Sequence, residues 1–143
     1  MEIKYLQLVV AALAIEIISV LVLVIMVAIF GPPDPEQAQA FAADLGYWVG
    51  PIAGFIFSFL GAYVITKNLS RSRIPNGILL GLLVAIVDVS ILVGSDRGFE
   101  MIFLVSSTGR LVAGTLGAYL SLIHISEPTR PRLLSYAVFC LKK

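Results

Sequence analysis

Four long apolar segments constrain this chain more than any other feature. They cover roughly residues 5–30, 47–66, 77–95 and 101–119. Each approaches the roughly 20 apolar residues that an α-helix needs to cross the hydrocarbon core of a bilayer. Over the whole chain 59% of residues are hydrophobic and 13% are charged, against roughly 45–50% and 25% in soluble domains. This composition excludes a soluble domain, a disordered chain and a nucleic-acid-binding protein. The sequence predicts an all-α membrane protein, a four-helix antiparallel transmembrane bundle.

The segment from residue 120 to 143 has a different character and reads LSLIHISEPTRPRLLSYAVFCLKK. It resembles the in-frame translation of a transposase-based sequencing-library adapter, whose codons reproduce residues 120–130 and, after a variable index, residues 135–141. The resemblance implies that residues 1–119 form one transmembrane domain and that 120–143 are an artefactual tail. The only histidine and the only cysteine, His124 and Cys140, both lie in this tail. The remaining chain therefore has no disulfide and no His or Cys metal ligand.

The charges of the short loops predict how the helices are oriented. The charged residues of the loop between the second and third segments are all basic: Lys67, Arg71 and Arg73. The charged residues of the loop between the first and second segments are all acidic: Asp34, Glu36 and Asp44. Lysine and arginine accumulate on the cytoplasmic side of a membrane. We therefore expect both termini and the 67–76 loop in the cytoplasm, in a multi-pass protein of the plasma (inner) membrane of a prokaryote.

The acidic loop also contains a helix-start pattern. Asp34 is a good N-cap, Pro35 suits the first helical position, and Gln37 completes a capping box. These residues predict a short helix over 37–45, which either lies on the outer surface or leads directly into the second segment. Within that segment Pro51 lacks an N–H and crowds the preceding turn, so a bend is expected near its outer end.

Small residues recur at helical spacing and predict the faces on which the helices pack. In the second segment they occur every four residues, at Gly46, Gly50, Gly54, Ser58 and Ala62. The third and fourth segments contribute Gly81, Gly109, Ala113 and Gly117. Helices in lipid associate through close backbone approach and polar contacts, because lipid tails are as apolar as leucine. The second segment is therefore expected to be central in the bundle.

Three charged residues interrupt the apolar segments: Glu16, Asp88 and Arg110. Glu16 and Asp88 lie about 18 Å along their helices from the inner boundary, and Arg110 lies about 15 Å from the outer boundary, which places all three near the membrane midplane. All three lie on the small-residue faces. Because an unpaired charge there costs at least about 2.5–3.5 kcal/mol, we expect Arg110 to pair with Asp88, with Glu16 nearby. If both acids are ionised, this charge cluster of Glu16, Asp88 and Arg110 carries a net charge of −1.

The first segment contains the stretch YLQLVVAALAIEIIS, residues 5–19. It resembles the first helix of the small multidrug resistance transporters, which are proton-coupled dimers of four short helices with one essential glutamate in helix one. Under this resemblance Glu16 corresponds to that glutamate. The resemblance is limited to the first helix, since Asp88 and Arg110 depart from the family's pattern, and no family is assigned.

Two functions follow from these residues. The first is a small structural or accessory membrane protein, in which the charge cluster is an internal polar lock. The alternative is a proton- or cation-coupled small-solute transporter or channel subunit that uses Glu16 and Asp88. A lock keeps the three charges sealed from water, whereas a transporter has a polar cavity that reaches Glu16 or Asp88 from one side.

Other classes of function find little support in the sequence. There is no phosphate-binding glycine loop, no nucleophile beside a base and no metal-ligand spacing, so we expect neither an enzyme nor a bound cofactor. The expected partners are the lipid bilayer and either further copies of the chain or a partner membrane subunit, with no nucleic acid.

Overall fold

The computed structural model describes residues 4–67, 69, 72–94 and 101–123. This part of the chain forms four helices: α1 Tyr5–Phe30, α2 Pro35–Thr66, α3 Arg73–Gly94 and α4 Met101–Ile123. All four are long and apolar enough to cross a membrane. Large apolar side chains such as Leu13, Ile25 and Val64 are exposed along them. An all-helical bundle with so much outward apolar surface suggests a multi-pass membrane protein.

Helix α2 is one continuous helix of 32 residues. Asp34 caps it, since its Oδ1 accepts a hydrogen bond from the Glu36 N–H at 3.2 Å and its Oδ2 accepts one from Gln37 Nε2 at 3.2 Å. The predicted short helix therefore leads directly into the second apolar segment. The helix continues through Gly46 and Pro51, although a glycine inside a helix costs about 1 kcal/mol and a proline about 3 kcal/mol. At 1.5 Å per residue α2 is about 48 Å long, so its first turns extend beyond a hydrocarbon core of about 30 Å.

Helices α3 and α4 differ from their predicted bounds. Helix α3 begins at Arg73 rather than at residue 77 and ends at Gly94 rather than at residue 95. Helix α4 continues to Ile123, so residues 120–123 of the predicted artefactual tail extend it by about one turn. This short stretch is apolar apart from Ser121, which suits a continuing helix whatever its origin. Residues 124–143 lie outside the described part of the chain.

The helices pack in a definite order. Helix α4 packs against α2 and α3, and α1 packs against the same two helices. Within the described residues, α1 and α4 do not pack directly against each other and therefore lie on opposite sides of the bundle. The apolar core contains Leu8, Ala12, Ile15, Ala62, Leu80 and Val84. As the small-residue pattern predicts, α2 is central, and it shares this position with α3.

One half of the bundle is tightly packed, and we call it the packed half. It contains residues 8–15, 58–66, 76–85 and 113–121. A Cβ added to Gly114 would lie 2.5 Å from the Gly77 carbonyl oxygen, and one added to Gly81 would lie 2.6 Å from the Arg110 carbonyl oxygen. A Cβ added to Gly117 would come closer still to the Phe59 carbonyl oxygen. No side chain fits at these points, so the glycines allow the helix backbones to touch.

Hydrogen bonds made by polar side chains add to this packing. The Thr66 hydroxyl donates to the Ala62 carbonyl oxygen at 2.6 Å and lies 2.8 Å from the Ser121 hydroxyl. Arg73 Nη1 donates to the Ser121 carbonyl oxygen at 3.0 Å. These bonds connect α2, α3 and α4 at one end of the packed half.

Candidate functional site

The candidate site is the charge cluster, to which three helices each contribute one residue. Arg110 comes from the α4 face that also carries Ser106, Ala113 and Gly117, and this face is turned toward the bundle centre. Glu16 comes from α1 and Asp88 from α3. Because α1 and α4 lie on opposite sides of the bundle, the Arg110 side chain must cross its centre to reach Glu16.

The structure brings the three charges together on one atom. Arg110 Nη1 lies 2.7 Å from Asp88 Oδ2 and 3.0 Å from Glu16 Oε1. These are ion-pair distances, although neither Nη1 nor Glu16 Oε1 meets the angular requirement for a hydrogen bond. One cation therefore neutralises part of the charge of two anions, and the cluster has one negative charge in excess when both carboxyl groups are ionised.

The two acids differ in their exposure. The Glu16 side chain is 8% exposed, close to the 3% of the Arg110 side chain, whereas the Asp88 side chain is 23% exposed. Glu16 and Arg110 are both almost fully buried. Asp88 has the same cation as its partner but is also open on one side.

Asp88 is open because it lines a cavity of about 130 Å³. Helices α2 and α4 form most of the walls, and the lining residues are Gly46, Tyr47, Gly50, Pro51, Asp88, Ile102, Phe103, Ser106 and Arg110. We call the part of the bundle around this cavity, residues 46–51 and 102–106, the cavity half. The volume is similar to that of an engineered cavity of about 150 Å³ that binds benzene. A molecule of a few heavy atoms therefore fits next to Asp88 and Arg110.

Gly54 has a role that sequence reasoning did not find. Sequence reasoning assigned it to helix packing, but a Cβ added there would lie 2.7 Å from Arg110 Nη2 and 2.9 Å from Cζ, with Nε closer still. The guanidinium group of Arg110 therefore occupies the space that a side chain at position 54 would need. No signal in the sequence distinguishes Gly54 from the other small residues of its stripe, because they all have the same spacing.

The other predicted packing residues fall into two groups. Ser58, Ala62, Gly81, Ala113 and Gly117 are buried between helices. The predicted packing residues near the cavity are less constrained: a Cβ at Gly46 or Gly109 would make only ordinary contacts, at 3.4 and 3.7 Å, and one at Gly50 would have no atom within 4 Å. Gly46 and Gly50 line the cavity instead of closing it.

The chemistry of the cluster favours positive charge. Two carboxylates and one guanidinium attract a proton or a cation, because an excess negative charge is costly in a low dielectric. Among the described residues no group of three or more His, Cys, Asp or Glu side chains is placed to hold a metal ion.

The fold and the site suggest a multi-pass membrane protein with a buried charge cluster. Comparison with protein-family models, with curated proteins and with solved structures finds no match.

Proposed function

We propose that the chain crosses the plasma membrane of a prokaryote four times, as an antiparallel bundle with both termini in the cytoplasm. The order of contacts between helices supports this arrangement. Gly77 lies against Gly114, and Gly81 lies against Arg110, so the α3 contact moves forward along the chain as the α4 contact moves backward. The orientation rests on the basic loop between α2 and α3 and the acidic residues before and within the first turns of α2.

Within this arrangement, the function supported best is that of a proton- or cation-coupled small-solute transporter or channel subunit that uses Asp88 and Glu16. The observation that carries the proposal is the cavity, which reaches Asp88 and Arg110 between α2 and α4. A purely structural lock has no need of such a cavity. Asp88 can be reached from this cavity, as a residue that binds a proton or cation must be.

The two halves of the bundle support the same proposal. The cavity half lies toward the end of the bundle that we place outside, whereas the packed half closes the opposite end through backbone contacts at Gly81, Gly114 and Gly117. A solute entering from outside would reach the charge cluster and meet a closed region beyond it. Four helices leave little space for a complete path, so we expect the working unit to be a homo-oligomer or a complex with a partner membrane subunit.

A second candidate is a structural or accessory protein in which the cluster only holds the helices together. The buried ion pair of Glu16 and Arg110 favours it, because polar groups often serve as contacts between membrane helices. Neither candidate includes a catalytic step or a cofactor.

Cysteine labelling separates the two candidates by testing whether water reaches the cluster. Cys140→Ser removes the only cysteine of the chain, and Ser106→Cys then places one thiol in the cavity. We expect 2-bromoethylammonium, added outside intact spheroplasts, to alkylate this thiol. The matched control is Ser58→Cys, since Ser58 is fully buried in the packed half, and we expect no alkylation there. Equal protection of both thiols would contradict the transporter and support the lock.

Proton flux tests the roles of the acids. In liposomes that contain a pH-indicator dye, we expect the wild-type protein to speed the decay of an imposed pH gradient. Asp88→Asn and Glu16→Gln are expected to abolish this effect, because each removes a group that can accept a proton. Asp44→Asn is the matched control, since Asp44 is exposed on α2. A gradient that decays equally slowly with and without wild-type protein would support the structural candidate.

A further inference from the structure

We infer that Gly54 is a positioning residue for the Arg110 guanidinium: the missing side chain on α2 allows this group to lie at the bundle centre, where it contacts both acids. The inference rests on the proposed function because it concerns the same charge cluster. It gives Gly54, one glycine of the small-residue stripe, the role of positioning a charged group instead of a role in helix packing.

The neighbours of the described glycines carry this inference. At Gly77, Gly81, Gly114 and Gly117, an added Cβ would meet backbone atoms or an alanine methyl group of a facing helix. At Gly54 it would meet the guanidinium, with Nη2 at 2.7 Å and Cζ at 2.9 Å. Among the glycines in the described residues, Gly54 alone has a charged side-chain group in this place. The three nearest atoms there belong to a charged side chain and not to a helix backbone, so a side chain at position 54 would first displace the guanidinium.

The position of the guanidinium is also held from the other side. Arg110 is 2% exposed, and its Nη1 lies 2.7 Å from Asp88 and 3.0 Å from Glu16. The end of a free arginine side chain moves easily to avoid a methyl group. Here such a movement changes the distances from Arg110 to Asp88 and to Glu16. Breaking a buried ion pair strongly destabilises the folded protein. A side chain at position 54 therefore displaces the charge and leaves the helices where they are.

Displacement of this charge changes the cavity. Arg110 and Asp88 both line it, and their balance determines the electrostatic potential that an entering solute meets. The net charge of the cluster stays the same when the guanidinium moves, but the distance from Arg110 to Asp88 does not. Gly54 thus acts on the preference of the cavity for positive charge, through Arg110 and without lining the cavity itself.

The test compares how fast two small reagents of opposite charge alkylate Ser106→Cys in the Cys140→Ser protein. One is 2-bromoethylammonium and the other is iodoacetate, and the ratio of their rates reports the local potential. We expect Gly54→Ala to change this ratio by several-fold. Gly109→Ala is the matched control, because Gly109 is next to Arg110 and its added Cβ would make only an ordinary contact with Phe55. An unchanged ratio in Gly54→Ala would overturn the inference.

A mutant cycle gives a second test that does not depend on access to the cavity. Its reference protein has a neutral cluster, made with Glu16→Gln, Asp88→Asn and Arg110→Ala. We expect Gly54→Ala to raise the unfolding equilibrium constant about fivefold or more in the wild-type background, measured by detergent-induced unfolding in mixed micelles. In the neutral background we expect no increase, because the guanidinium is absent. An equal increase in both backgrounds would show that Gly54 serves helix packing and would overturn the inference.

The two tests also separate this inference from the proposed function. If neither reagent alkylates Ser106→Cys, the cavity is closed to water and the transporter proposal fails. The mutant cycle then decides the role of Gly54 alone, since its result depends on the buried contact with Arg110 and not on a solute path.

Discussion

The packed half and the cavity half contain the same kinds of small residues, yet their helices approach to different distances. In the packed half the Gly77 carbonyl oxygen lies only 2.5 Å from the place where a Gly114 Cβ would be. In the cavity half a Cβ on Gly50 would have no atom within 4 Å, and one on Gly46 would be 3.4 Å from Leu23. A small residue permits close approach, but it does not cause it.

The difference shows what brings membrane helices together. Close packing occurs where a glycine of one helix faces the backbone of another, as Gly77 faces Gly114 and Gly117 faces Phe59, because no side chain then separates the two backbones. In the cavity half Gly46 and Gly50 face Ile102, Phe103 and Ser106 across a gap. The charge cluster lies where the two halves meet: Glu16 is buried, whereas Asp88 and Arg110 line the cavity.

The largest effect is expected for Arg110→Ala, which removes the only basic residue of the cluster. The buried Glu16 and the partly exposed Asp88 then have no counterion, and we expect the free energy of unfolding to fall by about 3–5 kcal/mol. Detergent-induced unfolding followed by circular dichroism measures the loss. Adding Asp88→Asn and Glu16→Gln should recover part of it. Lys67→Ala is the control, since Lys67 is exposed and its replacement should change the free energy of unfolding by less than about 0.5 kcal/mol. Equal losses for the two alanine variants would show that the charge cluster does not stabilise the bundle.

The next effect tests the contrast between the halves directly. Gly114→Ala adds a methyl group where the Gly77 carbonyl oxygen leaves no space, so we expect the free energy of unfolding to fall by about 1–3 kcal/mol. Gly50→Ala makes the same chemical change in the cavity half, where no atom is near, and should leave the free energy of unfolding the same or slightly higher. The same unfolding measurement serves for both. Similar losses at the two positions would mean that the halves are equally close-packed.

A smaller effect is expected for Thr66→Val in the packed half. The Thr66 hydroxyl bonds within α2 and also contacts Ser121 across the interface with α4, so its removal should cost about 1 kcal/mol. Thr115→Val is the matched control, because the Thr115 hydroxyl donates within its own helix, to Leu111. Its loss should be the smaller of the two. The opposite order of losses would show that the contact between Thr66 and Ser121 does not stabilise the bundle.

The smallest effect is expected when residues 124–143 are removed. If this segment is an artefactual tail, a chain that ends at Ile123 should keep its free energy of unfolding within about 0.5 kcal/mol. A chain that ends at Tyr119 provides the comparison, since it also lacks Ser121 and should lose the Thr66 contact. Failure of the chain ending at Ile123 to fold would contradict the prediction that the tail is artefactual.

Much of the fold and part of the site could be predicted from residue order. Each apolar segment is long enough to define a helix, because hydropathy and the rise of 1.5 Å per residue are local properties. The depths of Glu16, Asp88 and Arg110 come from counting along each helix, and the high cost of an unpaired charge in lipid requires that they meet. The capping of α2 by Asp34 follows equally from neighbouring residues.

The remaining features depend on how the four helices lie against one another. Glu16 and Asp88 have similar depths and similar neighbours, yet one is sealed and the other lines a cavity, because Gly46 and Gly50 lie opposite α4 without touching it. Gly54 has the same spacing as Gly50, yet it accommodates the guanidinium, because the Arg110 side chain crosses the bundle at that level. Spacing along one helix predicts which residues share a face, but it contains no information on which atom of another helix that face will meet.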